Sequence, residues 1–158
     1  NGVMTTDENL NSTVVRLQLG KTSMLLTGDA ESGLRLPPTA NLGLIEKKLV
    51  EGHPDQLKVD ILQVAHHGSS TSNRLGFLKL VQPKIALIGV GPLPYAGEIL
   101  PDANVLKAIT NLASKPTILR TDFNDQDVAN CSKGGVKVNR VGVDNSAPGG
   151  CDNYVLSM

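Results

Sequence analysis

Two of the three histidines in this 158-residue chain stand side by side, in Val64-Ala65-His66-His67-Gly68-Ser69-Ser70-Thr71-Ser72. Neighbouring imidazoles suit metal ligation, proton exchange near neutral pH or contact with an anion. The run from Val59 to Ala65 ahead of them is short, apolar and partly β-branched, and a glycine soon follows, which predicts a buried strand. His66 and His67 then fall at a strand end, where successive side chains point to opposite faces. Gly68 frees the backbone for a tight turn, and Ser69 to Ser72 offer hydroxyls and backbone donors of the kind that cradle an anion. The plainer account of the doublet is a surface pair on a polar loop. Ser69 and Thr71 serve equally well as anion contacts or as turn caps.

A second apolar run, Ser23 to Thr27, also ends at a glycine, and Gly28 is followed by the lone carboxylate Asp29. Asp29 with His66 and His67 supplies the donor types of a zinc or manganese site, a hard oxygen beside borderline imidazoles. Thr-Gly-Asp alone is ordinary turn chemistry, so the weight lies in the combination.

The elements that must position these groups follow from the pattern of apolar residues. Thr13 to Leu19 alternates as a strand and turns through Gly20-Lys21 into Ser23 to Thr27, a hairpin that delivers Asp29. Leu42, Ile45, Leu49 and Val50 recur at helical spacing through the polar Glu46-Lys47-Lys48, and Gly52-His53-Pro54 ends that amphipathic helix. After the histidine strand, Leu75, Phe77, Leu78 and Val81 mark a short helix closed by Pro83, and Lys84 to Val90 reads as the next buried strand. Gly91 to Gly97 is a stiff loop expected beside the histidines. Asp102 opens a helix through Val105, Leu106, Ile109 and Leu112 and suits its dipole; Thr117 to Thr121 is a further strand. Val136 to Val143 and Tyr154 to Leu156 suggest a closing hairpin. The order predicts an α/β domain, a mixed sheet with helices on one face.

Composition narrows the classes. The length fits one domain with a real core. A formal net charge of +0 argues against a broad basic footprint for nucleic acid, and 3% aromatic residues with no Trp leave no evident stacking platform. No apolar run approaches the roughly 20 residues of a membrane span. Asn1 to Asn9 lacks the basic-then-apolar pattern of a signal peptide, so any targeting segment is expected outside the chain. Cys131 and Cys151 form no C-x-x-C pair and have no histidine near them in sequence. A disulfide between them and two free thiols both remain open; a bridge would fit an extracytoplasmic or secreted setting.

Thr27-Gly28-Asp29-Ala30 followed by His66-His67-Gly68-Ser69, with Asn11-Ser12 ahead of a strand, resembles the second half of a metallo-β-lactamase-fold hydrolase. The subgroup it looks most like is the hydrolase domain of ComEC-type DNA-uptake proteins and their stand-alone relatives. The likeness runs from about Asn9 to about Asp125 and takes in Gln82 to Ile88 and Leu119-Arg120-Thr121-Asp122. It implies that residues 1–158 are one domain, the C-terminal half of an αββα sandwich; beyond Asp122 the likeness fades, and 123–158 is expected from its own alternation to be an additional hairpin. It further implies two metal ions in the complete site, Asp29 as the bridging ligand and one of His66 and His67 as a ligand to one ion. The family's H-x-H-x-D-H motif belongs to the first half of the fold and has no counterpart here. Where relatives carry Tyr-Gly-His-Pro, this chain reads Tyr95-Ala96-Gly97-Glu98-Ile99-Leu100-Pro101. His53 matches no ligand position of the family.

Two functions are consistent with these residues. The first is the C-terminal portion of a metal-dependent hydrolase acting on nucleic acid or another phosphodiester or ester, in which one histidine ligates metal and the other contacts the developing oxyanion. The second is a non-catalytic descendant of that fold serving as a binding or scaffolding surface. Either way, a half-sandwich exposes an apolar sheet face, which implies a missing N-terminal half or a partner chain to cover it.

Overall fold

A computed structural model describes residues 8–91 and 97–121. The expected hairpin at 123–158, Asp122, and Cys131 and Cys151 with their open pairing lie outside the described residues.

The alternating strands pair as expected. β1 (Val15–Leu19) and β2 (Thr22–Leu26) form the antiparallel hairpin, and β2 continues in parallel to β3 (Ile61–Gln63), β4 (Ile85–Ile88) and β5 (Thr117–Arg120). The result is one five-stranded mixed sheet in the order β1-β2-β3-β4-β5. Strict sequential order means that every parallel crossover steps the same way across the sheet. Crossovers of one hand then leave their helices on one face. These helices are α1 (Leu44–Gly52), α2 (Pro54–Leu57), α3 (Leu75–Val81) and α4 (Ala103–Thr110).

Register fixes the two faces. Leu25, Leu62, Ala86 and Ile118 stand in line across the strands; the first three belong to the core with Leu57, Phe77, Leu78, Val81, Val105 and Ile109 of the helices, and the partly buried Ile118 packs against it. The opposite face carries the line Met24, Ile61, Ile85 and Thr117 and the line Leu26, Gln63, Leu87 and Leu119. It continues onto β1 through Val15, Leu17 and Leu19, which are 39%, 49% and 63% exposed. An apolar second face is therefore present, and at its β1 edge it is open.

Several expectations are corrected. The predicted histidine strand is only Ile61–Gln63; His66 and His67 lie in a kinked turn (Ala65–Gly68) in which both adopt left-handed, non-helical backbone angles, φ 46° and 54°. The alternation of a strand end does not govern them. Helix α1 starts at Leu44, and its one fully buried residue is Glu46, which its polar neighbours in sequence had placed on a solvated face. The Gly52-His53-Pro54 stop holds, with His53 as the cap, but Pro54 at once starts the extra turn α2. Asp102 caps α4 by backbone alone, its carboxylate being engaged elsewhere. Among the described residues no helix is long and apolar enough to cross a membrane.

The amino ends of three strands are stitched by Asp60. Its carboxylate accepts the Ser23 N–H at 2.8 Å and the Ser23 hydroxyl at 3.0 Å and pairs with Lys84 Nζ at 2.8 Å. The Lys84 ammonium, then the Ser23 backbone donor, hold its pKa down at about 2. A depressed carboxylate contributes stability above its unfolded pKa and loses it as pH falls through the folded one. Because Lys84 is largely exposed, the contribution is modest. Asp60→Asn is expected to lower unfolding free energy by roughly 1 kcal/mol at pH 7. The difference from wild type should vanish near pH 2, as read by urea titration at both pH values; an equal loss at both would show that the charge is not what matters.

Candidate functional site

The parallel strands deliver their carboxyl ends to one edge, the position at which open α/β sheets bind ligands. Beyond β2, Gly28 (φ 52°) turns the chain, and the turn is locked to β3: Gln63 Oε1 accepts the N–H of Thr27 and of Gly28, both at 2.9 Å, while the Thr27 hydroxyl donates to Gln63 O at 2.6 Å. His66 N–H then donates to Gly28 O at 3.0 Å. Asp29 and the histidine turn are thus parts of one hydrogen-bonded edge.

Left-handed angles at two consecutive non-glycine residues carry strain and persist where the surroundings hold them. Buried Asn73 supplies much of that hold, donating from Nδ2 to Ala65 O at 2.9 Å and Ser69 O at 3.0 Å on either side of the pair. Gly68, at φ 80°, follows. A Cβ there would collide with the Pro101 ring, so the glycine expected for the turn also allows α4 to dock.

The two imidazoles have different neighbours. His66 is largely buried, and its Nδ1 lies 2.8 Å from Glu31 Oε1 and 2.9 Å from the Thr71 hydroxyl. Ionised Glu31 only accepts, so Nδ1 carries the hydrogen and a neutral His66 keeps its lone pair on Nε2. His67 is half exposed and gives its Nδ1 hydrogen to Gly89 O at 2.5 Å. Its Nε2 faces Asp29 Oδ1 at 3.6 Å. That separation is close to what two ligands of one ion require when each sits about 2.0 to 2.2 Å from it. Backing of one ring nitrogen by a carbonyl or a carboxylate, with the other left free, is the usual surrounding of a ligating histidine.

The hydroxyl loop turns inward. Ser69 is 2% exposed, accepts the Thr71 N–H at 3.2 Å and lies 3.0 Å from the Thr71 hydroxyl, an arrangement that caps the turn. Thr71 links that cap to His66. At the rim, Arg35 Nη2 pairs with Asp102 at 2.5 Å and Glu98 at 3.2 Å, and Asp102 in turn accepts the Ser70 N–H at 2.7 Å. His53 caps α1 and takes no part in this edge.

Sequence reasoning passed over Glu31, Arg35, Glu46, Asn73 and Arg74. Arg74, 1% exposed, donates to Leu36 O and Ser70 O from Nη1 and to Leu34 O from Nη2, each at 2.7 Å. Glu46 accepts the N–H of Asn73 and, at 3.0 Å, of Arg74. Burial pushes Glu46 up to about 7, against the lowering effect of the Arg74 and Asn73 backbone donors, the Ser32 hydroxyl and the Arg74 charge. Burial also lowers the Arg74 pKa, with Glu46 opposing. The only available signal was Arg74 itself, a cation leading straight into an apolar helix.

Asp29 Oδ1 and His67 Nε2 are the two donors that this edge brings together, 3.6 Å apart. Among the described residues no group of three or more His, Cys, Asp or Glu side chains is disposed to hold a metal.

This is an α/β chain with an acid–imidazole edge, and comparison with known proteins gives that edge a context. No protein-family model matches the chain. It is 30% identical over 139 residues to competence protein ComA of Neisseria gonorrhoeae, covering 87% of this chain and 18% of that protein. It is 33% identical over 117 residues to ComE operon protein 3 of Bacillus subtilis, 74% of this chain and 13% of the other. With recombination protein 2 of Haemophilus influenzae it shares 38% identity over 89 residues, 56% of this chain and 10% of the relative. The relatives are competence and recombination proteins, in agreement with the ComEC-type resemblance, and the chain spans less than a fifth of the length of each.

The buried Glu46 makes a pH-dependent prediction. Its folded pKa lies above the unfolded value of 4.5, so the native state holds the proton longer and unfolding free energy falls as pH rises from 4.5 to about 7. The expected fall is at most roughly 3 kcal/mol. Glu46→Gln leaves one of the two backbone N–H groups without an acceptor, so it should be less stable overall, yet it should lack this slope. Chemical denaturation at several pH values reads both effects, and an unchanged slope in the variant would assign the titration to another group.

Proposed function

We propose that this chain is the C-terminal portion of a metallo-β-lactamase-fold, metal-dependent hydrolase of the ComEC type, acting on phosphodiester bonds in connection with DNA uptake. The observation that carries the reading is the pairing of Asp29 with His67 at 3.6 Å on the carboxyl edge of the parallel strands. The names of the competence relatives support the biological setting, and the mixed sheet with helices on one face supports the half-sandwich. Zinc or manganese is the cofactor, two ions in the complete site, with the remaining ligands supplied by an N-terminal half or partner chain. That same partner would cover Val15, Leu17 and Leu19.

When bound, metal would supply Lewis acidity for activating a water and polarising a phosphoryl oxygen. Asp29 would offer the carboxylate ligand and His67 its Nε2, with the ring oriented by Gly89 O. His66 is a positioning residue with its Nδ1 hydrogen held by Glu31, and its free Nε2 is a candidate partner for substrate oxygen. Ser69 and Thr71 hold His66 and the turn. The stretch around Glu98 favours a second reading, a non-catalytic binding module: it lacks the histidine that the resemblance implies, and at the rim Glu98 pairs with Arg35.

With two ligands in hand, the chain alone should retain well under one equivalent of zinc after dialysis. Its weak affinity, measured by competition with a chromophoric chelator, should fall in Asp29→Ala and in His67→Ala with little loss of fold. His66→Ala should instead cost about 1 to 3 kcal/mol of stability, because Glu31 loses its buried partner. Metal loss on His66→Ala with His67→Ala silent would reverse the roles. In the complete protein, Asp29→Ala should abolish turnover; unchanged turnover at saturating metal would defeat the hydrolase reading and favour the binding module.

A further inference from the structure

We propose that the groove between α3 and α4 binds a single-chain anionic amphiphile, a medium-chain fatty carboxylate being the simplest member of the class. The groove has a volume of about 760 Å³, within the range of small-molecule pockets, and lies on the helical layer. Pro37, Pro38, Leu75, Ala108 and Leu112 make its apolar walls. Pro38 is fixed there, since its carbonyl accepts the Leu75 N–H at 2.7 Å, so one wall is tied to the start of α3.

Charge selects the ligand. Lys79 of α3 and Lys107 of α4 face the groove from its two sides, and no carboxylate lines it. Among the described residues neither lysine has an acidic partner, whereas Lys47 and Lys84 each do. Gln82 is already committed, its amide donating to Lys79 O at 3.2 Å and its carbonyl accepting the Ser114 N–H at 2.9 Å. Thr39, Asn104 and Asn111 add neutral polar groups to the lining, and the two lysine ammonium groups are its cations, the donors suited to an anionic head, while their methylene stems extend the apolar wall over which a tail would lie. An uncharged apolar ligand would leave both cations unmatched, and a cationic one would be repelled. The site uses none of the residues on the acid–imidazole edge, so it stands independently of the metal reading.

The test is calorimetric titration of the full 158-residue chain with sodium decanoate below its micellar concentration, with decyltrimethylammonium as the charge-reversed probe. One saturable site is expected for decanoate and none for the cation in the same range. Lys79→Ala and Lys107→Ala, both on exposed positions, should each weaken binding roughly two- to fivefold, as expected for solvent-accessible ion pairs. Ala108→Trp should fill the groove and remove binding, with circular dichroism reporting that the fold is kept. Leu17→Asp, on the open sheet face, should leave affinity unchanged. The proposal is overturned by absence of a saturable site, by equal affinity for the two probes, by lysine variants that bind as wild type, or by a loss that follows Leu17→Asp.

Discussion

A buried guanidinium holds the architecture of the candidate site in place. Arg74 leaves the core only through its bonds to the carbonyls of Leu34, Leu36 and Ser70, and so it joins the long segment after Asp29 to the loop after the histidines. The same two stretches are laced by Ser32 and Gly33 N–H to Thr71 O and by the Ser72 hydroxyl to Ala30 O. Removing a buried charge from water is expensive, and it is offset here by three carbonyl acceptors on Nη1 and Nη2 and by attraction to Glu46, while Nε has no hydrogen-bond partner among the described residues. These polar bonds, more than the few apolar contacts of the two loops, tie one loop to the other.

The sheet was legible because its strands obey period two and its helices period three to four. Leu25, Leu62 and Ala86 point to the helices, and Val105 and Ile109 answer them from α4. Asp29 and the histidine pair were legible as donor types at the ends of apolar runs. What sequence could not supply was direction. The strand rule assigns His66 and His67 opposite faces, but their left-handed angles come from Asn73 and Gly28, contacts made through the fold. Glu46 was misassigned for a related reason: between two lysines and an apolar stripe, it looks solvated until Asn73 and Arg74 N–H groups are found pointing at it.

The outcome for the two histidines is a division of surroundings. His66 faces inward to Glu31 and Thr71, and His67 faces outward to Asp29. Both have Nδ1 occupied by an acceptor, so when neutral each presents Nε2. Adjacent residues have acquired different environments without any strand between them.

Gly68 carries a consequence for inheritance. Two separate constraints close this position: a φ of 80°, which side chains other than glycine resist, and the Pro101 ring, which occupies the space of a Cβ. Trimming Pro101 would relieve the second constraint and leave the first, while relaxing the turn would release Asp102 N–H from Gly68 O. No single compensating change restores a substituted Gly68. Among descendants of this chain the glycine should therefore be a fixed point around which the donors beside it can drift, and its loss should mark lineages in which the turn has been rebuilt.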